Sequence, residues 1–263
     1  MNGMVADTHV HIYPCYDFPA ALASLVANLA RLAAGEAVSA AFFTERHDCR
    51  AFASLQDGSL PAAGRDLEVR SLEEGAVLLA TGGGAEVYLF AGRQLVTAER
   101  IEVLAVAMPA DLPDGQPALK MVEAVLAAGG VPVIGWSPGK WSLSRGHVVR
   151  ELLRRFKPGD LLLGDTALRP TPCPEPRLMR EARRRGLAVI AGSDPLPLPR
   201  EERLLGTYAT VFQGPFDAAQ PLESARRLLR SPAAVVGTRG ARSSWPVFAS
   251  RWSRLAFSRQ IAT

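Results

Sequence analysis

Two of the four histidines in this chain, His9 and His11, are separated by a single residue near the start of the sequence. They follow the apolar residues 4–6, which favour a β-strand. Side chains two positions apart on a strand point to the same face, so both imidazoles can reach one metal ion. Asp7, two residues before the pair, is placed to orient an imidazole ring through a hydrogen bond. The pair therefore predicts a metal site, with an incidental polar pair as the alternative.

A third histidine follows the second apolar run of the chain. The segment Thr44-Glu45-Arg46-His47-Asp48 comes directly after the apolar residues 40–43. In α/β barrels, the side chains that carry the chemistry gather at the C-terminal ends of the strands. His47 is therefore the third candidate metal ligand, and a solvated loop is the alternative interpretation of this segment.

Two aspartates occupy similar positions later in the chain. Asp165 and Asp194 each follow an apolar run and a glycine. An aspartate at such a position can bind a metal ion, or it can act as a general base that takes a proton from metal-bound water. The alternative is that each caps the next helix or turn through backbone amides. Asp194 is followed by Pro195-Leu196-Pro197 and hence by no immediate helix, which favours a functional role.

Several cations and one amide lie on or near the ends of predicted strands. The candidates for binding a substrate are Arg93, Gln94, Lys140, Arg145 and Arg169. Arginine and lysine on glycine-containing loops can hold a phosphate or a carboxylate. Trp136 and Trp141 lie in the same stretch as Lys140, which suggests an anionic ligand with a flat or sugar-like part. Solvated loop charges are the alternative for each cation alone.

Strand and helix signals alternate along most of the chain, which predicts an α/β fold with a parallel sheet or barrel. Glycines at positions 35, 129 and 186 are typical of helix C-terminal caps. The predicted strands span residues 4–12, 37–43, 76–80, 86–96, 102–107, 131–135, 160–163 and 187–191. The predicted helices span residues 19–34, 117–128, 147–156 and 175–185. We expect one domain over residues 1–263, a distorted TIM-type β/α barrel of seven or eight strands.

Two segments depart from that alternation. Thr81-Gly82-Gly83-Gly84 joins two strands too closely for a crossover helix, which predicts a β-hairpin insertion around residues 75–107. The final segment, residues about 240–263, mixes arginines with aromatic side chains at roughly helical spacing. We expect a helix that docks on the domain with one solvated face, and contact with a membrane surface or a partner is the alternative.

Composition restricts the compartment and the partners. The chain has 263 residues, a net charge of +4 and three scattered cysteines, Cys15, Cys49 and Cys173, which suit a reducing compartment. No stretch has the pattern of a signal peptide or a transmembrane segment. The sequence lacks a basic stripe interleaved with aromatic residues, the pattern that would predict nucleic-acid binding. We expect a cytoplasmic protein that binds a small anionic substrate and no nucleic acid, and the composition permits a homo-oligomer.

Four segments together resemble the polymerase-and-histidinol-phosphatase (PHP) domain, a distorted β/α barrel among the amidohydrolase-like metal hydrolases. Residues 7–11 are similar to its Asp-x-His-x-His motif, and residues 44–48 are similar to its Thr-Asp-His motif with one residue added. Residues 92–97, followed by Glu99 and Glu102, resemble the Gly-x-Glu segment before a hairpin. Gly192-Ser193-Asp194 resembles the Gly-Ser-Asp that opens the last motif.

The chain also departs from this family pattern. Gln94 stands where the family has a bridging glutamate, and a neutral amide cannot hold two divalent ions together as a carboxylate does. Gly135-Trp136-Ser137-Pro138 and Asp194-Pro195-Leu196 lack the histidines that the family places there. These departures exclude a trinuclear site. They leave a mononuclear site formed by His9, His11, His47 and Asp194, or an emptied one.

Two functions follow from the resemblance. The first is a metal-dependent hydrolase that splits a phosphoester or a C–N bond with one Zn, Mn or Fe ion. The ion would lower the pKa of its bound water towards about 7, and Asp194 or Asp165 would accept the proton. The second is a catalytically inactive scaffold without an ion, which binds an anionic ligand or a protein partner on the same fold.

Overall fold

The computed structural model of the protein describes residues 3–35, 37–60, 67–73 and 75–261. Strands and helices alternate, as the sequence pattern predicts. The strands are β1 (Gly3–Val10), β2 (Val38–Phe43), β3 (Leu67–Glu73), β4 (Val77–Gly82), β5 (Ala85–Phe90), β6 (Arg93–Val96), β7 (Glu102–Val106), β8 (Val131–Gly135), β9 (Leu162–Thr166), β10 (Val189–Gly192), β11 (Tyr208–Gln213) and β12 (Val235–Gly240). The α-helices are α1 (Phe18–Ala33), α2 (Ala51–Gln56), α3 (Ala118–Ala127), α4 (Leu143–Arg155), α5 (Arg177–Arg184), α6 (Pro221–Arg230) and α7 (Trp245–Ile261), and short 3₁₀ helices span Glu201–Leu204 and Pro232–Ala234.

The strands form two sheets. The first sheet has seven strands in the order β12-β11-β1-β2-β5-β4-β3, with β1, β2 and β5 parallel. The second has five strands in the order β10-β9-β8-β7-β6, with β8, β9 and β10 parallel. Every residue of β1, β2, β8, β9 and β10 is buried. Strands covered on both faces read as continuous apolar runs, which is why the sequence showed them clearly.

Contacts at both edges bring the second sheet against the first. Glu45, just after β2, forms an isolated parallel bridge with Arg93 at the start of β6. At the other edge, the backbone N–H of Asp194 donates to the carbonyl of His9. The mixed α/β class is thus confirmed. A closed TIM-type barrel is not confirmed, because the strands of the described ranges form two separate sheets.

The predicted hairpin is confirmed. β4 and β5 pair antiparallel from Val77–Phe90 to Gly82–Ala85, and Gly83 and Gly84 form the two-residue turn with φ of +58° and +78°. Glycine adopts these left-handed angles without a steric penalty.

The single strand predicted over residues 86–96 is wrong. It is two strands, β5 and β6, separated at Gly92. A Cβ on Gly92 would lie 2.5 Å from the carbonyl oxygen of Phe43 and 2.6 Å from that of Ala105. The close approach of three backbone segments requires a glycine there, and the chain turns from the first sheet into the second.

The sequence pattern missed β3, β11, β12, α2 and α6. β3 and β12 are largely half-buried or exposed and therefore lack a continuous apolar run. The predicted C-terminal helix is present as α7, and residues 262 and 263 lie outside the described residues. Among the helices of the described ranges, none is both long enough and apolar enough to cross a membrane.

Candidate metal centre

His9, His11 and Asp194 converge at the C-terminal ends of β1 and β10. The Nε2 atoms of the two histidines lie 2.9 Å apart, and they lie 3.6 and 3.8 Å from the same oxygen, Oδ1 of Asp194. The circle through these three atoms has a radius of about 2.0 Å, close to zinc–nitrogen and zinc–oxygen bond lengths of about 2.0 to 2.2 Å. The group can therefore hold a divalent metal ion with three ligands.

Asp7 holds together the backbone that carries these ligands. Its Oδ1 accepts hydrogen bonds from the backbone N–H of His9 and Ser193, and its Oδ2 accepts one from Gly206. The sequence suggested that Asp7 orients an imidazole ring, but its contacts are with backbone amides instead. Burial raises the pKa of Asp7 to about 6, although the three amides act against that shift.

Gly192 allows β10 to lie close to β1 at this point. A Cβ on Gly192 would lie 2.4 Å from the backbone nitrogen of His9 and 2.7 Å from Oδ1 of Asp7. Asp194 then turns back toward the histidines in a left-handed conformation, with φ of +46°. Asparagine and aspartate adopt this conformation more readily than other residues that carry a Cβ. The turn places the Asp194 carboxylate beside both imidazoles.

The surroundings of His11 favour the neutral imidazole that metal binding requires. Burial lowers the pKa of His11 well below 6.5, and the nearby charges of His9 and Arg46 lower it further. A hydrogen bond between the His11 ring and the backbone of Thr44 acts in the opposite direction. Such a bond on one ring nitrogen orients the other nitrogen toward the ligand group. Burial also raises the pKa of Asp194, more than any neighbouring charge does.

Gln94 adds a polar oxygen next to the three ligands. Its Oε1 lies 3.3 Å from Nε2 of His9, and its amide nitrogen lies 3.4 Å from Oε1 of Glu102. Lys140 forms an ion pair with the same Glu102 oxygen. Gln94 thus offers a neutral fourth oxygen at the position where the sequence comparison expected a carboxylate.

The ligand group opens into a cavity of about 500 Å³, a size typical of small-molecule sites. His11, Gln94 and Asp194 border it at the metal centre. Arg46 also lines the cavity, and its guanidinium carbon lies 5.9 Å from the centre of the Tyr13 ring. Lys140 lines it from the loop between β8 and α4, and Arg145 lines it from the first turn of α4. The cavity therefore combines a candidate metal site with three cations.

The structure does not bring His47 into the ligand group. The His47 side chain is 71% exposed, and its Nδ1 lies 3.9 Å from Asp114 at the cavity mouth. Arg46, the preceding residue, faces the Tyr13 ring instead. Of these two residues, the cation Arg46 and not the imidazole of His47 lies near His11.

Asp165 and Arg169 bind each other. Nε of Arg169 donates to one oxygen of Asp165 at 2.8 Å and Nη2 to the other at 2.5 Å, and both side chains are buried. Nη1 of Arg169 donates to the carbonyl of Cys173. The pair links β9 to the loop that follows it. Neither residue lines the cavity at the ligand group, so the structure does not support the predicted catalytic role of Asp165 or the predicted substrate-binding role of Arg169.

Arg93 and Arg145 line different cavities. Arg93 pairs with Asp111 at 3.2 Å and lines a separate hollow beside Glu45 and Arg50. Arg145 lines the main cavity and donates to the carbonyl of Gly139. Sequence reasoning missed Arg46 and Glu102 as site residues. Both belonged to segments that it had singled out, but nothing in the spacing showed which side chains turn inward.

Comparison with known proteins supports the fold. No protein-family model matches the chain, and no curated protein matches it significantly. The structure of PsfC from Pseudomonas syringae PB-5123 superposes over 100% of both chains, with a TM-score of 0.53 and 18% sequence identity. At this identity the likeness concerns the fold alone. The chain thus shares its fold with PsfC over its whole length.

Two further structures are more distant. The lesion-specific endonuclease PfuEndoQ from Pyrococcus furiosus matches with a TM-score of 0.45 and 12% identity, over 90% of this chain and 57% of that one. Endonuclease Q bound to a 27-mer duplex with an abasic lesion matches with a TM-score of 0.43 and 11% sequence identity, over 90% of this chain and 58% of that one. The duplex is a substrate of Endonuclease Q. At these scores the likeness carries no argument about this chain, so the expectation of no nucleic-acid partner stays a prediction.

Proposed function

We propose that the protein is a metal-dependent hydrolase with a mononuclear centre formed by His9, His11 and Asp194. One observation carries the proposal: three ligand atoms from two separate strand ends lie on a circle of about 2.0 Å radius. The immediate neighbours add to it. Asp7 and Gly192 hold the two strand ends together, and His11 is kept neutral by its burial.

The donor set suits zinc, manganese or iron. Two imidazoles and a carboxylate, with an amide oxygen from Gln94 nearby, are ligands typical of these ions. A divalent ion held there supplies a Lewis acid that lowers the pKa of a coordinated water toward neutrality. Asp194 is the proposed proton acceptor, because its carboxylate lies beside both imidazoles that would hold the ion. Asp165 is less suited to this role, since both of its oxygens are bound to Arg169.

The cavity cations indicate an anionic substrate, a phosphoester or a substrate with a carboxylate next to a C–N bond. Arg46, Lys140 and Arg145 are the proposed anion ligands, and arginine can bind such groups with two parallel hydrogen bonds. Gln94 lies between the metal ligands and the Glu102–Lys140 pair, where it can contact the substrate. Arg93 and Arg169 do not line this cavity and are left out of the proposed site.

The family assignment belongs to the same proposal. The motif around His9, the Gly-Ser-Asp segment at Asp194 and the bridge between residues 45 and 93 agree with a PHP-like arrangement. We infer a degenerate PHP-like domain in which the two sheets enclose the centre as a distorted, incompletely paired barrel.

The first test is metal content, measured by elemental mass spectrometry on protein purified without chelators. We expect about one equivalent of a transition metal in the parent protein and none in a His9→Ala/His11→Ala variant. His47→Ala/His147→Ala is the matched control, because it removes the other two histidines of the chain. Equal metal in all three proteins, or none in the parent after reloading with Zn²⁺ or Mn²⁺, would overturn the proposed centre.

A non-catalytic scaffold is the second candidate, favoured by the neutral Gln94 in place of a carboxylate. Activity against phosphoesters and amides separates the two functions. Metal-dependent turnover that is lost in Asp194→Asn establishes the hydrolase. Anion binding without turnover of either substrate class establishes the scaffold.

A further inference from the structure

The two ends of the cavity at the metal centre differ in polarity. Loops that follow β9 and β10, together with α7, contribute an apolar surface formed by Leu168, Pro195, Leu196, Pro197, Trp252 and Leu255. The cations and Gln94 come from β6, from the loops that follow β2 and β8, and from the first turn of α4. In the second sheet, β10 and β9 lie at one edge and β6 at the other. The metal ligands therefore have an apolar surface on one side and a mixed, largely polar one that carries the cations on the other.

The apolar surface offers few hydrogen-bonding groups to a ligand. Pro195 and Pro197 have no backbone N–H. The N–H of Leu196 donates to Glu201, and the carbonyl of Leu196 accepts from the hydroxyl of Tyr16 at 2.6 Å. The polar backbone atoms of Leu196 are thus already in use. A sugar pressed against this surface would lose hydrogen bonds to water without replacement, whereas an apolar group would not.

The surface is also held in place before any ligand arrives. Leu168, Leu196, Leu198 and Leu255 form one buried cluster. Arg251 of α7 binds Glu201 with both side chains buried, and Arg254 donates to the carbonyl of Pro199. Trp252 lies between these two anchors and is 39% exposed at the cavity. A surface fixed in this way loses little entropy on binding.

We propose that the substrate is an amphipathic anion whose non-reacting part is a planar apolar group, such as an aryl ring, bound against Trp252 and residues 195–197. The inference rests on the proposed function, since it takes the anionic group to lie at the metal centre and its cations. It names the substrate class and excludes polyhydroxylated groups from this end of the cavity. A cavity of about 500 Å³ accommodates both parts.

Isothermal titration calorimetry with phenylphosphonate and methylphosphonate, in the presence of Zn²⁺, tests the inference without requiring turnover. The two probes share the anionic group and differ in the aryl ring. We expect phenylphosphonate to bind the parent protein at least about ten-fold more tightly. Trp252→Ala should remove most of that difference while leaving the affinity for methylphosphonate unchanged. Trp252→Phe, which keeps a ring, should retain most of it.

Phe257→Ala is the matched control, because Phe257 is an aromatic residue of the same helix that is 65% exposed and does not line the cavity. Circular dichroism verifies that each variant is folded. Equal affinity of the parent for both probes, or an unchanged preference in Trp252→Ala, overturns the apolar subsite while leaving the hydrolase proposal intact. Failure of both probes to bind the parent overturns the anion site itself, and the subsite with it.

Discussion

Arg251 provides the sharpest test of how α7 supports the site. Its Nε donates to both oxygens of Glu201 at 3.0 Å, its Nη2 to one of them at 2.5 Å, and its Nη1 to Ser243. The side chains of Arg251 and Glu201 are only 6% and 3% exposed. Removing one partner of such a pair leaves an uncompensated buried charge, at a cost of about 3 to 5 kcal/mol. Arg251→Met should therefore destabilise the protein by about 3 kcal/mol or more.

Arg254 is a control within the same helix. It lies 3.9 Å from the same carboxylate but is 47% exposed, and exposed pairs contribute about 0 to 1 kcal/mol. We expect Arg254→Met to cost less than about 1 kcal/mol. Arg251→Met/Glu201→Gln should recover about 2 kcal/mol relative to Arg251→Met alone, since the buried charge is gone and an amide oxygen can still accept from Leu196.

Urea denaturation followed by circular dichroism measures these differences. With a slope of about 3 kcal/mol per molar urea, the expected loss in Arg251→Met lowers the midpoint by about 1 M. Equal midpoints for Arg251→Met and Arg254→Met would refute the reasoning. So would a double variant less stable than Arg251→Met. Either result would show that the buried pair does not determine how α7 is attached.

Three further predictions concern the centre and its surroundings. Gly192→Ala should lower the free energy of unfolding by about 3 kcal/mol and abolish metal binding, because its Cβ would overlap His9. Gly135→Ala, whose Cβ would lie 3.7 Å from its nearest neighbour, should do neither, and equal thermal midpoints of the two variants would contradict this. Gln94→Glu should raise Zn²⁺ affinity about ten-fold in chelator competition, since a carboxylate binds the ion more strongly than an amide; unchanged or weaker affinity would contradict it. Burial raises the pKa of Glu45 from 4.5 to about 7, so this carboxyl group stays protonated to a higher pH in the folded state than in the unfolded state. The free energy of unfolding should therefore fall by up to about 3 kcal/mol between pH 4.5 and pH 7. Glu45→Gln should flatten this pH dependence in urea titrations, and an unchanged slope would refute the prediction.

The sequence was most informative where one strand buries both of its faces. β1, β2, β8, β9 and β10 appear as short apolar runs, and polar residues directly after them mark the strand ends. That pattern was sufficient to single out His9, His11 and Asp194, although residue 194 is far from residue 9 in the chain. It was insufficient for β11, which pairs with the distant β1, and for β12, which pairs with β11.

The segment after β2 shows the limit of the same reasoning. Glu45, Arg46 and His47 are consecutive, yet they face three environments. Glu45 is buried and accepts a hydrogen bond from the N–H of Phe52, Arg46 lies over the Tyr13 ring, and His47 is exposed. Residue type favoured the histidine as a ligand. The direction of each side chain depends on the backbone path after the strand, which spacing alone does not encode.

Local sequence thus determined that two imidazoles share one strand end, that a glycine and an aspartate follow another, and that α and β elements alternate. These properties depend on the period of the strand and on the conformational preferences of a few residues. Tertiary structure decided which groups share the centre. Asp165 is bound to Arg169 and His47 is exposed, so neither belongs to the ligand group. Helix α7 contributes Trp252 to the cavity. The physical reason is that a ligand set and a binding surface require side chains to meet within a few ångströms, and only the packing of distant segments determines that.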